Sequence, residues 1–410
     1  MGMTSANNLS TWTGTQDAPP NVDVLQNAIT GYSDEAYTTA KKLSSTAIVG
    51  GNPNIDTNTE TFIGQVRWYK PLNPYVNVAS LTDKTPGTKT NYSSDFLNYI
   101  KTVRTHGAEK VNMTEVVTRV DGLAKVGRDF GQTRAMDEHN AILSVLKGVA
   151  ISEAIVGAVT GGAGGQTWSN LPESTTNGFY VDLGSSKIIS GPGLNPAGAA
   201  NLAYLGAARA EGFLEAFGKA YKDYEPEYAY LITSPSTLMS LRSANLVDEQ
   251  GVVDGNINFS TIFGGKFRLL QTRESMGLSS AQFTAINAAG TGTDIATTQN
   301  TTFIVLPGAL ALEQLAVPDQ TEITRDGNAF KGGGITSIWY RWGYVLAPAG
   351  YNWAGSQTDF PDNAGYMAVW DTTATAGWEA LTAATTPSKG VWERKASSVL
   401  SLGILPVFHA

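Results

Sequence analysis

The 410-residue chain contains no cysteine, which excludes disulfides and thiolate chemistry and leaves the redox compartment open. Histidine is nearly absent too. Only His106, His139 and His409 occur, and without an H-E-x-x-H pattern they form no zinc ligand set. Charged residues make up 16% of the chain and its net charge is -8, so binding nucleic acid by counterion release is not open to the molecule as a whole. No Walker A sequence occurs, and "GGAGGQ" and "GPGLNPAG" both miss the G-x-G-x-x-G spacing that cradles a dinucleotide. A G-x-S-x-G nucleophile elbow is missing as well. The nearest approach to a long apolar run, Leu146 to Val159, is interrupted by Lys147 and Glu153, and the opening "MGMTSANNLS" has neither a basic n-region nor an apolar h-region. These absences predict a soluble chain with no secretory signal, no catalytic residues, no cofactor and no metal.

Hydrophobic residues make up 42% of the sequence, while Gly, Ala, Thr, Ser and Asn take the place of the missing charge. A polar, weakly charged surface lowers repulsion between copies and suits extensive self-contact, although neutral loops on a soluble protein give the same composition. The length predicts two or three lobes. Its most distinctive stretch is "ITSIWYRWGYVLAPAGYNWAG" at 335–355. With a period of two it places Ile338, Tyr340, Trp342, Tyr344 and Leu346 on one face, and Ser337, Trp339, Arg341, Gly343 and Val345 on the other. A strand from Thr336 to Ala347 would reach roughly 40 Å. Its apolar face needs an equally long cover.

That cover is encoded at 128–159. "RDFGQTRAMDEHNAILSVLKGVAISEAIVGAV" has no proline, and Ile142, Val145, Leu146, Val149 and Val156 fall on a helical stripe flanked by Asp137, Glu138 and Lys147. About thirty helical residues span about 45 Å, matching the strand. Before this helix, residues 1 to about 55 read as an extended arm with a short helix around Asp34 to Leu43. Residues 61–120 read as a long hairpin. Its charged tip carries Thr82, Asp83, Lys84, Pro86, Gly87 and Lys89, with Pro86-Gly87 suited to a type II turn. After "TGGAGG", Asn195-Pro196 opens an alanine-rich helix to about Tyr221. A strand over Tyr228–Thr233 then leads through Ser234-Pro235 into a helix ending near Ala244. Further strands are expected at 264–274 and 301–306, and the alternation predicts an α/β lobe. A Trp-, Ala- and Thr-rich insertion covers 352–388, and 390–408 reads as a final strand.

Four features admit functional readings. His139 stands in "MDEHNA", where the adjacent Asp137 and Glu138 point around a helix instead of converging on a metal, so a polar flank is expected. The acid pairs Asp359 with Asp362 and Asp248 with Glu249 suit glycoside chemistry only if folding sets their separation, and solvated loops are the plainer reading. Trp339, Trp342, Trp353, Trp370, Trp378 and Trp392 suit either sugar-stacking platforms or burial. Arg67, Lys70, Lys84 and Lys89, interleaved with Trp68, Tyr69 and Tyr75, fit single-strand stacking or docking on a neighbouring protein.

The order of parts resembles the major capsid proteins of tailed bacteriophages, a fold shared with herpesvirus capsids and encapsulins. "YAYLITSPSTLMSLRSANLVDEQG" at 228–251 and "GGKFRLLQTRE" look like segments of their axial domain, and "ITSIWYRWGYVLAPAGYNW" with "SVLSLGILPVFH" looks like their paired peripheral strands. The resemblance implies an α+β fold with an N-terminal arm (1–56), an extended loop hairpin (57–120), a spine helix opening the peripheral domain (121–190), an inserted α/β axial domain (191–318) and return strands (319–410) carrying the 352–388 insertion. It further implies hexamers and pentamers in an icosahedral shell around weakly, non-specifically held double-stranded DNA. Scaffolding, portal and decoration proteins are implied as partners, with assembly in the host bacterial cytoplasm and no membrane. An encapsulin-like compartment and, from a different class, an extracellular carbohydrate-binding protein are the alternatives.

Overall fold

The computed structural model describes residues 22–41, 43–51, 54–57, 61, 63–69, 94–111, 122–159, 181–182, 213–214, 217–218, 220–221, 226–243, 245–254, 257–272, 300–326, 334–355, 361–363, 365–367, 369–370, 389–395 and 402–409. In chain order, helix α1 (Val22–Ala40) precedes strands β1 (Val49–Gly50), β2 (Ile63–Tyr69) and β3 (Ser94–Val111), then helix α2 (Gly122–Val159). β4 (Val181–Asp182) and β5 (Ala229–Thr233) lead to helix α3 (Pro235–Ser243), followed by β6 (Val247–Asp254), β7 (Ile257–Ile262), β8 (Phe267–Gln271) and β9 (Asn300–Val305). The chain continues through β10 (Leu310–Gln314), β11 (Thr321–Asp326), β12 (Ile335–Pro348) and β13 (Tyr351–Trp353). It ends with β14 (Val369–Trp370), β15 (Lys389–Gly390), β16 (Trp392–Arg394) and β17 (Ile404–His409).

Two main sheets result, and the fold is α+β. The first runs β1-β10-β12-β3-β2, with β11 also paired to the first half of β12. β12 is central because both its edges are used: β3 takes Ile335 to Val345 antiparallel, while β11 and then β10 take the other edge. β2 and β3 form the arms of a hairpin from Ile63↔Ile100 to Tyr69↔Ser94. The tip, including Thr82, Asp83, Lys84, Pro86, Gly87 and Lys89, lies outside the described residues.

α2 crosses the first sheet. Its 38 residues span about 57 Å, and Ile142, Val145, Leu146 and Val149 are fully buried. On the strand, Ile338, Tyr340, Trp342, Tyr344 and Leu346 are all buried and face the same core. The helix is long and apolar enough to cross a membrane by length and composition, but most of its apolar stretch is packed inside the protein.

The second sheet follows the order β4-β17-β9-β5-β8-β7-β6. Ser234 supplies the start of α3, its Oγ accepting from Thr237 N at 3.3 Å, as the Ser-Pro pair predicts. β5 and β17 are buried along their whole length, which is why both read as short continuous apolar runs without alternation. The chain passes from the second sheet to the first within four residues between β9 and β10, where Gly308 adopts φ 71° and donates to Ala47 O at 2.7 Å. One continuous core joins both sheets to α2.

Four expectations need correction. The helix placed at Asp34–Leu43 is a nineteen-residue helix, Val22–Ala40, packed against α2. Its polar composition masks the packing because contact is made by backbone at glycine. At Gly127 a Cβ would stand 2.8 Å from Tyr32 Cβ, and one at Gly131 would strike Ser33 O. The segment 390–408 is two strands in different sheets, β16 and β17, not one. β17 pairs with β9 and β4 in the second sheet instead of with the aromatic strand, since its all-apolar run fits a position covered on both faces. The hairpin β6-β7 and the strands β10 and β11 were absent from the expectation.

Candidate functional site

The helix face of the first sheet is a polar network set inside an apolar core. Phe130 stacks on Tyr340 with ring centroids 5.5 Å apart, and one turn later Arg134 Nη1 donates to Tyr340 OH at 3.2 Å. Arg134 also donates to Gln314 Oε1 at 2.9 Å, lies 3.5 Å from Glu138 and sits over the Tyr37 ring at 4.1 Å. Glu138 is 0% exposed and accepts from Tyr37 OH at 2.6 Å and Gln314 Nε2 at 3.0 Å. This carboxylate therefore ties α1, α2 and β10 together, and the guanidinium adds β12. Burial, then the Glu138 charge, pushes the Tyr37 phenol above its ordinary value. Burial works against the Arg134 charge, but Tyr340 and Glu138 outweigh it and keep the guanidinium protonated.

Asp137 holds the next part of the strand. Its Oδ2 accepts from Trp342 Nε1 and from Tyr344 OH, both at 3.0 Å, and Arg104 Nε of β3 lies 3.6 Å from its Oδ1. Tyr344 is raised by burial, with Tyr366 and Asp137 adding to the effect. Tyr366 is itself buried, hydrogen-bonded to Thr102 and raised to about 12 by burial. Glu153 and Arg394, both buried, pair at 3.5 Å and attach the far end of α2 to β16. Every cation here has a carboxylate beside it, which is the condition for burying such charges without heavy cost.

Asp137 and Glu138 were expected as a polar flank beside the apolar stripe of the helix. They are instead the polar teeth by which the helix registers on the strand. Their partners come from Tyr37, Arg104, Gln314, Trp342 and Tyr344, all distant in sequence, so no local pattern marks them. One signal was available: Gly127 and Gly131, four apart, announce a close-packed neighbouring helix. The described part of the 352–388 insertion is partly core: Asp362 is exposed, but two of its aromatics pack inward beside Trp392 of β16. Trp353, Tyr366 and Trp392 are buried, and Trp392 Nε1 donates to Tyr366 O at 3.1 Å.

The other functional readings fare as follows. Trp342, Trp353 and Trp392 are buried and offer no sugar platform, while Trp339 is 43% exposed; the side chains of Trp370 and Trp378 lie outside the description. Glu249 is engaged by Arg242 at 2.9 Å and Ser260 at 3.0 Å, and Asp362 caps Gly365 N at 2.7 Å; Asp359 lies outside the described residues. Arg67 lies over the Phe96 ring at 5.7 Å. Lys70, Lys84, Lys89 and Tyr75, and the side chains of Trp68 and Tyr69, are not described. Among the described residues no group of three or more His, Asp or Glu could hold a metal ion. A shallow cleft of about 530 Å³ opens between Val103, Val317, Asp319, Glu322 and Arg341, but Arg341 is already bound to Glu322 at 2.6 Å and to Asp319 O at 3.0 Å.

No protein-family model matches the chain, and no curated protein does. Solved structures to which it is similar include a chain of the cyanophage Pam1 capsid asymmetric unit (10% identity, 92% of each chain covered, TM-score 0.45). The Ralstonia phage GP4 capsid is another (12% identity, 77% of this chain and 86% of that one, TM-score 0.45). A third is the capsid of Helicobacter pylori bacteriophage KHP30 (10% identity, 98% of this chain and 96% of that one, TM-score 0.43).

Proposed function

We propose that this chain is a structural shell protein, a major capsid protein of the tailed-bacteriophage type whose copies close as hexamers and pentamers into an icosahedral head around double-stranded DNA. The observation that carries the reading is the path of the chain. It leaves an extended hairpin, runs along α2, builds a separate seven-stranded sheet, and returns to the one long strand on which hairpin and helix both lie. A rigid helix-on-strand spine with a limb at one end and a lobe at the other is a shape suited to tiling.

Two further features support it. β2 covers only Ser94–Ile100 of β3, so along 101–111 the second edge of β3 has no strand partner among the described residues. Such an edge invites pairing with another chain. The negative, weakly charged composition suits a wall that confines DNA without gripping it. In this reading the hairpin tip, Thr82 to Lys89, contacts the adjacent subunit. Residues 57–120 act as the extended loop, and 1–56 as the arm. Scaffolding, portal and decoration proteins are its partners, and the site of assembly is the bacterial cytoplasm, ahead of a life in the virion.

Light scattering of the purified chain, alone and coexpressed with a scaffold, tests this. Megadalton particles are expected, and a strict monomer under every assembly condition contradicts the reading. Within it, deleting Thr82–Thr90 spares folding and weakens assembly; normal shells from that deletion would refute the role given to the tip.

A further inference from the structure

Lys101 stands on the face of the first sheet turned away from α2, in register with Val345, and its side chain is 0% exposed. Its place in the chain is particular. β2 covers β3 only as far as Ile63↔Ile100, so Lys101 is the first residue of β3 past the root of the hairpin. Its Nζ donates to Asp56 Oδ2 at 3.1 Å and to Thr61 Oγ1 at 3.3 Å, both on the stretch through which the chain enters β2. The Asp56 side chain is 60% exposed. A buried ammonium is thus paired with a carboxylate that faces water.

Further contacts tie the same stretch down. Asp56 N donates to Tyr99 OH at 2.7 Å, Ala316 N donates to Thr57 O at 3.4 Å, and Ile55 packs with Tyr99, Leu315 and Val345. Tyr99 lies across Gly64, its direct partner on β2, where a Cβ would stand 2.1 Å from the ring. Only a bare backbone at Gly64 lets the phenol reach Asp56. Residues 54–57 belong to no helix or strand, so they form a strap held by these contacts and not by a ladder. With the strap closed, the carboxylate offsets the desolvation of the ammonium; with it lifted, water does the same, so the two arrangements are closely balanced. We infer that Lys101, Asp56 and Tyr99 form a latch at the root of the hairpin. Closed, it fixes the direction in which β2 and β3 leave the sheet; open, it hydrates Lys101 and frees the strap. All three are positioning residues. The latch rests on the shell reading only for its consequence in assembly, where a single heading of the hairpin favours closure.

Amine acetylation and hydrogen exchange of dispersed subunits, both read by mass spectrometry, test the latch. Lys101 is expected to acetylate slowly in the natural chain and about tenfold faster in Asp56→Asn, with amide exchange over 54–57 quickened alongside. Asp56→Glu keeps the carboxylate and should leave both rates slow. Lys101→Met fills the buried site with an apolar chain, so its denaturation midpoint should hold while exchange over 54–57 still quickens. Should that variant not fold, Asp56→Asn, which alters an exposed side chain, decides the matter alone. Unchanged rates in Asp56→Asn, or equal quickening in Asp56→Glu, overturn the latch and leave the shell reading standing. In assembly, Asp56→Asn is expected to need about tenfold more protein than the natural chain. Assembly at unchanged concentration, with exchange quickened, overturns the part given to the latch in setting the hairpin. A natural chain that never assembles contradicts the shell reading, while the labelling still decides the latch.

Discussion

On the helix side of the first sheet, Tyr340, Trp342 and Tyr344 are buried and each places its polar atom on a residue of α2, at 3.2, 3.0 and 3.0 Å. On the opposite side, Trp339 lies on bare glycine backbone with 43% of its surface in water. The same strand supplies both sets, alternating residue by residue. The contrast teaches that composition does not decide burial here; partners do. Aromatics on one face found a helix carrying the right hydrogen-bond partners, while among the described residues the other face is covered at its far end, by Leu315 and Val317 over Val345.

The largest expected effect breaks the closed face. Arg134→Met leaves Glu138 buried without its cation, and chemical denaturation should reveal a loss of about 3–5 kcal/mol. Removing Tyr37 as well should make the loss less than additive, since both act on one carboxylate.

High pH probes the same face through its phenols. Tyr366 titrates at about 12 in the folded chain, and Tyr344 and Tyr351 are held above their ordinary value by burial. The unfolded phenol titrates near 10, so below that pH both states are protonated and stability is flat. From about pH 10 to about 12 the unfolded chain loses protons that the folded chain keeps, and stability falls by about 2–3 kcal/mol for Tyr366 alone. Tyrosinate absorbance should therefore rise together with unfolding. Ionisation of the buried phenols in a still folded protein would contradict the closed face.

Tyr344→Phe removes one of two donors to Asp137 and leaves Trp342 in place, so a loss of about 1 kcal/mol is expected in the same denaturation experiment. The smallest effect belongs to the open face. Trp339→Ser should alter subunit stability by no more than about 0.5 kcal/mol, and a larger loss would mean that this indole is structural within the subunit.

Much of this contrast was legible in the residues. The alternation Ile338, Tyr340, Trp342, Tyr344, Leu346 marked the strand and its buried face, the stripe Ile142, Leu146, Val149 marked the helix, and Ser234-Pro235 marked the start of α3. What escaped depended on distant partners. Asp137 and Glu138 look solvated because acids on helices usually are, and only β3, β10, β12 and α1 make them interior. α1 has few apolar residues and is seated by glycines on its neighbour, so periodicity understates it. β17 shows an apolar run that names burial without naming a sheet. The sequence Asp254-Gly255-Asn256, which joins β6 to β7, is a readable hairpin signal.

The claim at the centre is that one face of the first sheet is finished within the chain, and that the proposed shell covers the other. Hydroxyl-radical footprinting of dispersed subunits and assembled particles, read residue by residue by mass spectrometry, tests it most directly. Trp342 should be protected in both samples, whereas Trp339 should react in the dispersed subunit and become protected in the particle. Equal reactivity of Trp339 in the two samples would contradict the account.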